Sequence, residues 1–177
     1  RHRRLEAGRW PDRATGRGTA IEPVVATVVD ESKALGAALI GAWKLVSFTH
    51  LDEAGKEIAG PFGDRPQGRI VYTESGHMLT VILAGERGAF SVEDFRQAGD
   101  NEKVAAFDTM AAYSGRYELI GNRVVHHVDL AWIPGWTGSH LDRTVEFSED
   151  GRLILTGPPM KIGGRTLGVK IVWERES

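Results

Sequence analysis

Eight short runs of alternating apolar and polar residues, separated by turn signals, fill the chain from Trp43 to Arg175. Such a pattern points to antiparallel sheet and leaves little room for any other architecture. The runs are Trp43–Leu51, Arg69–Thr73, His77–Leu83, Ser114–Ile120, Arg123–Ala131, Arg143–Ser148, Leu153–Thr156 and Leu167–Arg175. Between them stand Glu53–Gly55, Glu74–Gly76, Gly121-Asn122 and Glu149–Gly151, each with a residue that tolerates the positive φ of a tight hairpin. Consecutive hairpins predict an up-and-down β-barrel, because closure removes exposed sheet edges. A two-sheet sandwich is the alternative. The expected class is all-β, an antiparallel up-and-down β-barrel of about eight strands with a short N-terminal helix and one inserted helix.

Two stretches break the period of two. Residues 1–30 form a basic N-terminal extension, with Arg1, Arg3, Arg4, Arg9, Arg13 and Arg17 against Glu6 and Asp12 in its first twenty positions. It reads as a tail without a catalytic role; a targeting peptide has the same look, and a partner subunit could hold it. The barrel domain is expected over 31–177. It opens with acidic capping residues at Asp30-Glu31-Ser32 and a short helix over Lys33–Ile40. The second break is Val92–Ala112, rich in Glu, Asp, Gln and Ala. It predicts a helix near Asn101–Ala112 that lays Val104, Phe107 and Ala111 against the barrel.

Composition excludes several classes. The net charge of -2 provides no basic field for nucleic acid. With no cysteine there is no disulfide, thiolate metal site or cysteine nucleophile. No apolar run approaches the roughly 20 residues of a membrane span, so a cytoplasmic location is expected, with a targeting role of the arginine-rich start left open. Nucleophile elbow, phosphate loop, dinucleotide fingerprint and H-E-x-x-H motif do not occur. No cofactor is therefore expected.

Register can be derived for one hairpin. If Gly121-Asn122 is a two-residue turn, Ile120 opposes Arg123 and Tyr117 opposes His126. Gly115, Tyr117, Leu119, Val124, His126, Val128 and Leu130 then share the apolar face, which must be the interior. The same parity turns Trp43, Leu45 and Ser47 inward. It groups Arg143 with Val145 and Phe147, and Trp173 with Leu167, Val169 and Ile171.

His126, Tyr117 and Arg143 are the candidate catalytic residues. The imidazole can exchange a proton near neutral pH, the phenol can orient it, and the guanidinium can bind a carboxylate, an enolate or a polarised carbonyl. The plainer alternative is that these groups satisfy one another in a barrel core and only tune ligand polarity. Leu45, Leu119, Val128, Val145, Phe147, Val169 and Ile171 are the candidate apolar lining. Trp132 and Trp136 flank an irregular Ile133-Pro134-Gly135, where they would line the mouth or close a hydrophobic end. His126 and His127 point to opposite faces and cannot share an ion, and no metal site is expected.

Gly41-Ala42-Trp43 resembles the G-x-W opening strand of lipocalins. In that calycin-type fold the Trp seals the closed end under an arginine; Arg175 is first choice for the stack and Arg143 second. Pro61–Gly68, Tyr113–Tyr117, Val125–Val128, Pro134–Gly138 and Arg143–Glu146 are similar to motifs of bacterial and fungal lipocalin-like domain proteins. The resemblance runs from about Leu39 to Arg175. It implies a barrel similar in fold to ligand carriers, and the expected partner is a small, largely apolar organic molecule; charge and run lengths add no nucleic acid and no membrane span, and a homo-oligomer is left open. Since some members accompany natural-product biosynthesis, a secondary-metabolism role as a cofactor-independent cyclase or isomerase is the competing expectation. A structural subunit that docks through its basic tail comes last.

Overall fold

A computed structural model describes residues 33–176. The basic extension expected over 1–30 and the capping residues Asp30–Ser32 lie outside the described residues. The helix expected at 33–40 is present as α1, over 33–39, and leads directly into the sheet.

Nine strands follow: β1 (Gly41–Leu51), β2 (Glu57–Ala59), β3 (Gln67–Tyr72), β4 (His77–Leu83), β5 (Met110–Ile120), β6 (Arg123–Ala131), β7 (His140–Phe147), β8 (Leu153–Ile162) and β9 (Arg165–Arg175). All pairs are antiparallel in the order β2-β1-β3-β4-β5-β6-β7-β8-β9, and β1 also pairs with β9. Eight strands therefore close a barrel, and β2 is an extra rung on the far end of β1, with Thr49 opposite Ala59. Its three residues are too few to show alternation, which is why the sequence did not reveal it.

The inserted helix, α2 (Asp100–Asp108), ends earlier than expected. Ala111 and Ala112 favour helix by propensity, yet they pair with Ile82 and Val81 of β4 as the start of β5. Tertiary pairing overrides propensity here. Val104 and Phe107 do not lie against the barrel; they are 57% and 47% exposed. Phe107 instead stacks on Trp132 with ring centroids 3.9 Å apart. Among the described residues, no helix is long and apolar enough to cross a membrane.

Strand direction sorts the connections into two ends. The β3–β4, β5–β6 and β7–β8 turns gather with α1 at one end. The opposite end carries the connection 84–109 with α2, the connection 132–139 and the hairpin at Gly163-Gly164. The first end is sealed. Trp43 is fully buried, donates its indole N–H to the Leu39 carbonyl at 2.9 Å, and carries the Arg175 guanidinium 4.1 Å above its ring. That guanidinium also donates to the Ile40 carbonyl at 2.9 Å and to the Ala38 carbonyl, so it caps the carbonyl end of α1. Gly41 permits this twice over: its φ is 130°, and any Cβ would stand 2.7 Å from Arg175 Nη1.

Three strands carry an extra residue between the sealed end and the mouth. The pairing shifts between Leu45 and Ser47 on β1, at Asp129 on β6, and between Gly157 and Met160 on β8. A bulge flips the parity of everything beyond it. Ser47 therefore leaves the interior, and Phe48 and His50 enter it. Leu130, expected inside, is 70% exposed for the same reason.

Candidate functional site

A cavity of about 390 Å³ occupies the barrel between the sealed end and the long loops. Its walls are mostly apolar: Phe48, Ile70, Ile82, Leu141, Leu155, Met160, Ile162, Val169 and Ile171 from the strands, with Phe62, Ile133 and Trp136 from the mouth. The polar side chains on this lining are His50, Thr80, Tyr113, His126 and Arg143, with the indole of Trp173. A mainly apolar chamber with a few convergent polar groups is the usual form of a small-molecule site.

His126 is the most constrained of these groups. It is fully buried, and both ring nitrogens meet a tyrosine hydroxyl: Nε2 meets Tyr72 Oη at 2.8 Å, and Nδ1 meets Tyr113 Oη at 2.9 Å. Burial, aided by the charge of Arg143 and by His127, pushes its pKa down to about 3. The ring is neutral at physiological pH, with one N–H and one bare nitrogen. Burial also raises both phenols, Tyr72 strongly, so each hydroxyl keeps its proton.

The direction of these bonds follows from burial. Tyr72 lies outside the cavity lining and has no other hydrogen-bond partner among the described residues. If it accepted from His126, its own O–H would be stranded in the core, at a cost of about 1–3 kcal/mol. Tyr72 therefore donates to Nε2, and Nδ1–H donates to Tyr113. The Tyr113 proton is left over and faces the cavity. A hydrogen-bonded series of this kind polarises its last donor.

Arg143 is nine-tenths buried and has no carboxylate partner among the described residues. Among the described residues its one internal hydrogen bond runs from Nη1 to the Asp142 carbonyl, at 2.7 Å. The guanidinium lies flat against Gly157, where a Cβ would stand 2.9 Å from Nη1 and 3.2 Å from Cζ. Its charge reaches Tyr113 and His126, lowering the pKa of both against or alongside the effect of burial. A buried cation satisfied by one neutral carbonyl is an exception that asks for an explanation.

The sequence pattern of the family described as lipocalin-like domain matches residues 40–176, nearly all of the described chain. The chain belongs to this lipocalin-like family. No curated protein matches it.

Within the lipocalin-like barrel, the residues singled out from sequence separate into two groups. His126, Arg143, Trp136, Val169 and Ile171 line one cavity. Leu45, Val128 and Val145 are buried but off that lining, and the half-buried Phe147 is off it too, its ring 5.8 Å from that of Trp43 in the sealed end. Leu119 packs toward Gly36 of α1. Trp132 is taken up by Phe107 outside the lining. Arg175, not Arg143, stacks on Trp43, which leaves Arg143 to the cavity.

Tyr117 opposes His126 in register as derived, but it does not bond to it. Its hydroxyl donates to the Thr73 carbonyl at 2.9 Å, and its ring meets Tyr72 edge-on at 4.9 Å. The partners that sequence reasoning missed are Tyr72 and Tyr113. Tyr72 shares parity with Ile70 on β3, a signal available in the sequence. Tyr113 stands between the helix expected up to Ala112 and the strand expected from Ser114, so counting assigns it no face. On the outer face, His127 hydrogen-bonds His140 and Glu118, and among the described residues no cluster of three or more ligand-type side chains could hold a metal ion.

Proposed function

We propose that this protein binds one small, largely apolar organic molecule inside the barrel. The observation that carries the reading is the 390 Å³ chamber, lined by aliphatic and aromatic side chains and polar mainly along one wall. A neutral fluorescent probe, N-phenyl-1-naphthylamine, tests it. Saturable binding of one probe per chain is expected, weakened more than tenfold in Ile171→Trp, which fills the chamber from β9. Equal binding by a variant that is folded, or no binding by the wild type, overturns the reading.

A second reading, cofactor-independent cyclisation or isomerisation, is favoured by the Tyr113 O–H and the Arg143 guanidinium facing the same water-poor space. Such donors stabilise negative charge developing on a substrate oxygen. In this reading His126 is a positioning residue: a ring that stays neutral until about pH 3 orients Tyr113 and does not itself carry the proton. For a substrate identified by native mass spectrometry of the protein from its host, Tyr113→Phe should lower turnover by about 10²–10⁴. Binding of N-phenyl-1-naphthylamine should persist in that variant. Turnover that survives Tyr113→Phe rules out this mechanism.

A further inference from the structure

We propose that the wall formed by Arg143 and Tyr113 is an oxyanion subsite, taking the carboxylate or enolate oxygen of an otherwise apolar acid. The proposal rests on the cavity being a binding site and names the chemical class of what it takes.

Arg143 offers N–H groups and no acceptor, and among the described residues only one of its bonds is spent inside the protein, on the Asp142 carbonyl. Tyr113 has its oxygen occupied by His126 Nδ1–H, so only its proton is free. The direction of that bond is fixed because Tyr72, with no alternative acceptor among the described residues, must donate to Nε2. Thr80 on the same lining already donates to the Arg69 carbonyl, at 3.1 Å. Its oxygen can still accept, but what Arg143 and Tyr113 themselves present is free hydrogen-bond donors and one positive charge.

Three ligand classes can be compared on such a wall. An alcohol could accept from it, but it would leave the buried guanidinium charge uncompensated. An ammonium would meet a like charge. An oxyanion satisfies both donors and neutralises the cation in a water-poor space, where charge-assisted bonds are strongest. His50, the other polar side chain of the lining, stands apart on β1 opposite Val169, near Arg165 at the mouth. Gly157 supports the assignment from the protein side: the absence of a side chain there is what lets the guanidinium lie against β8.

The test compares three naphthalene-sized probes at pH 8 by displacement of N-phenyl-1-naphthylamine. They are 2-naphthoate, the ionised enol of 2-hydroxy-1,4-naphthoquinone, and the neutral 2-naphthalenemethanol. At least one anion is expected to bind tenfold or more tightly than the alcohol, and which one does so assigns the head group. Arg143→Met should bring that anion to within threefold of the alcohol; Tyr113→Phe should cost it three- to tenfold and leave the alcohol unchanged. An alcohol as tight as both anions in the wild type, or a preference that persists in Arg143→Met, overturns the subsite while the cavity reading stands. Failure of the dye itself to bind overturns both. The wild-type comparison needs no variant, so it holds even if Arg143→Met fails to fold.

Discussion

Between α1 and the bulges, the strands run in regular alternation into short turns, and the inward residues nearest the turns are spent on packing: Trp43, Leu45, Leu153 and Val145 are all buried there. Toward the mouth, β1, β6 and β8 each carry an extra residue, the connections lengthen, and inward residues border a space. One barrel thus has a half that holds it together and a half that leaves room. The difference lies less in residue type than in register. By flipping parity, the bulges on β1 and β8 bring Phe48, His50, Met160 and Ile162 onto the chamber wall.

The clearest way to break this division is at the seal. Trp43→Ala removes a ring that is buried, hydrogen-bonded to Leu39 and stacked under Arg175. By the large-to-small rule for buried aromatics it should cost about 3–5 kcal/mol. Urea unfolding measures it directly. A loss under about 1 kcal/mol would mean that the sealed half is not where stability resides.

Acid sharpens the comparison, because the buried imidazole sits where the two halves meet. In the unfolded chain His126 takes up a proton near its ordinary value of 6.5, and in the folded chain only near 3. Between those values the unfolded state binds more protons, so stability is whole above 6.5 and falls as the pH drops. By pH 5 the loss from this residue alone should be about 2 kcal/mol. His50, lowered mainly by burial, adds in the same direction. The carboxylates with lowered values, among them Glu57 and Asp150, act only further into acid. Urea midpoints at pH 7.5 and pH 5 provide the check, and His126→Asn should flatten most of the difference. Equal stability of the wild type at both values would contradict a neutral, buried imidazole.

The mouth half should answer in binding more than in stability. Gly157→Ala drives a methyl toward the Arg143 guanidinium, the flexible end of a long side chain, which yields at small cost to folding. The donor is then displaced. Affinity for the preferred anion should fall about tenfold, equivalent to ~1.4 kcal/mol. A titration that matches the wild type would show that Arg143 does not depend on the Gly157 cradle for its position.

The same contrast explains what the sequence made legible. The Gly121-Asn122 hairpin puts Tyr117 opposite His126 by counting alone, and the structure keeps that register. The Trp43–Arg175 stack follows from residues that sit at the start and end of regular strands. Counting fails at Ser47 and Leu130, just past the bulges on β1 and β6, because no residue type marks an inserted position as glycine marks a turn. Tyr113 was lost through a boundary: an alanine-rich segment reads as helix, and only its pairing with β4 makes it strand. The partner of His126 was therefore sought on the opposing residue of one hairpin, whereas both partners, Tyr72 and Tyr113, reach it from elsewhere on the interior surface.

The smallest effect expected is at α2, and it decides whether the inserted helix belongs to either half. Its apolar residues are exposed, and Phe107 on Trp132 is its aromatic contact with the connection after β6. The segment before it is held by polar bonds instead: Glu102 accepts from the Ser91 and Gly99 amides, at 2.7 and 3.0 Å, and from the Ser91 hydroxyl. A helix attached in this way adds little buried area, and one aromatic pair is worth about 0.5–1.5 kcal/mol beyond its area. Phe107→Ala should therefore shift the urea midpoint by an equivalent of about 1 kcal/mol or less. A loss above about 2 kcal/mol would place α2 in the cooperative core with the seal. A midpoint that stays put, combined with faster release of N-phenyl-1-naphthylamine, would instead make the helix a cover over the mouth, held in place by one ring.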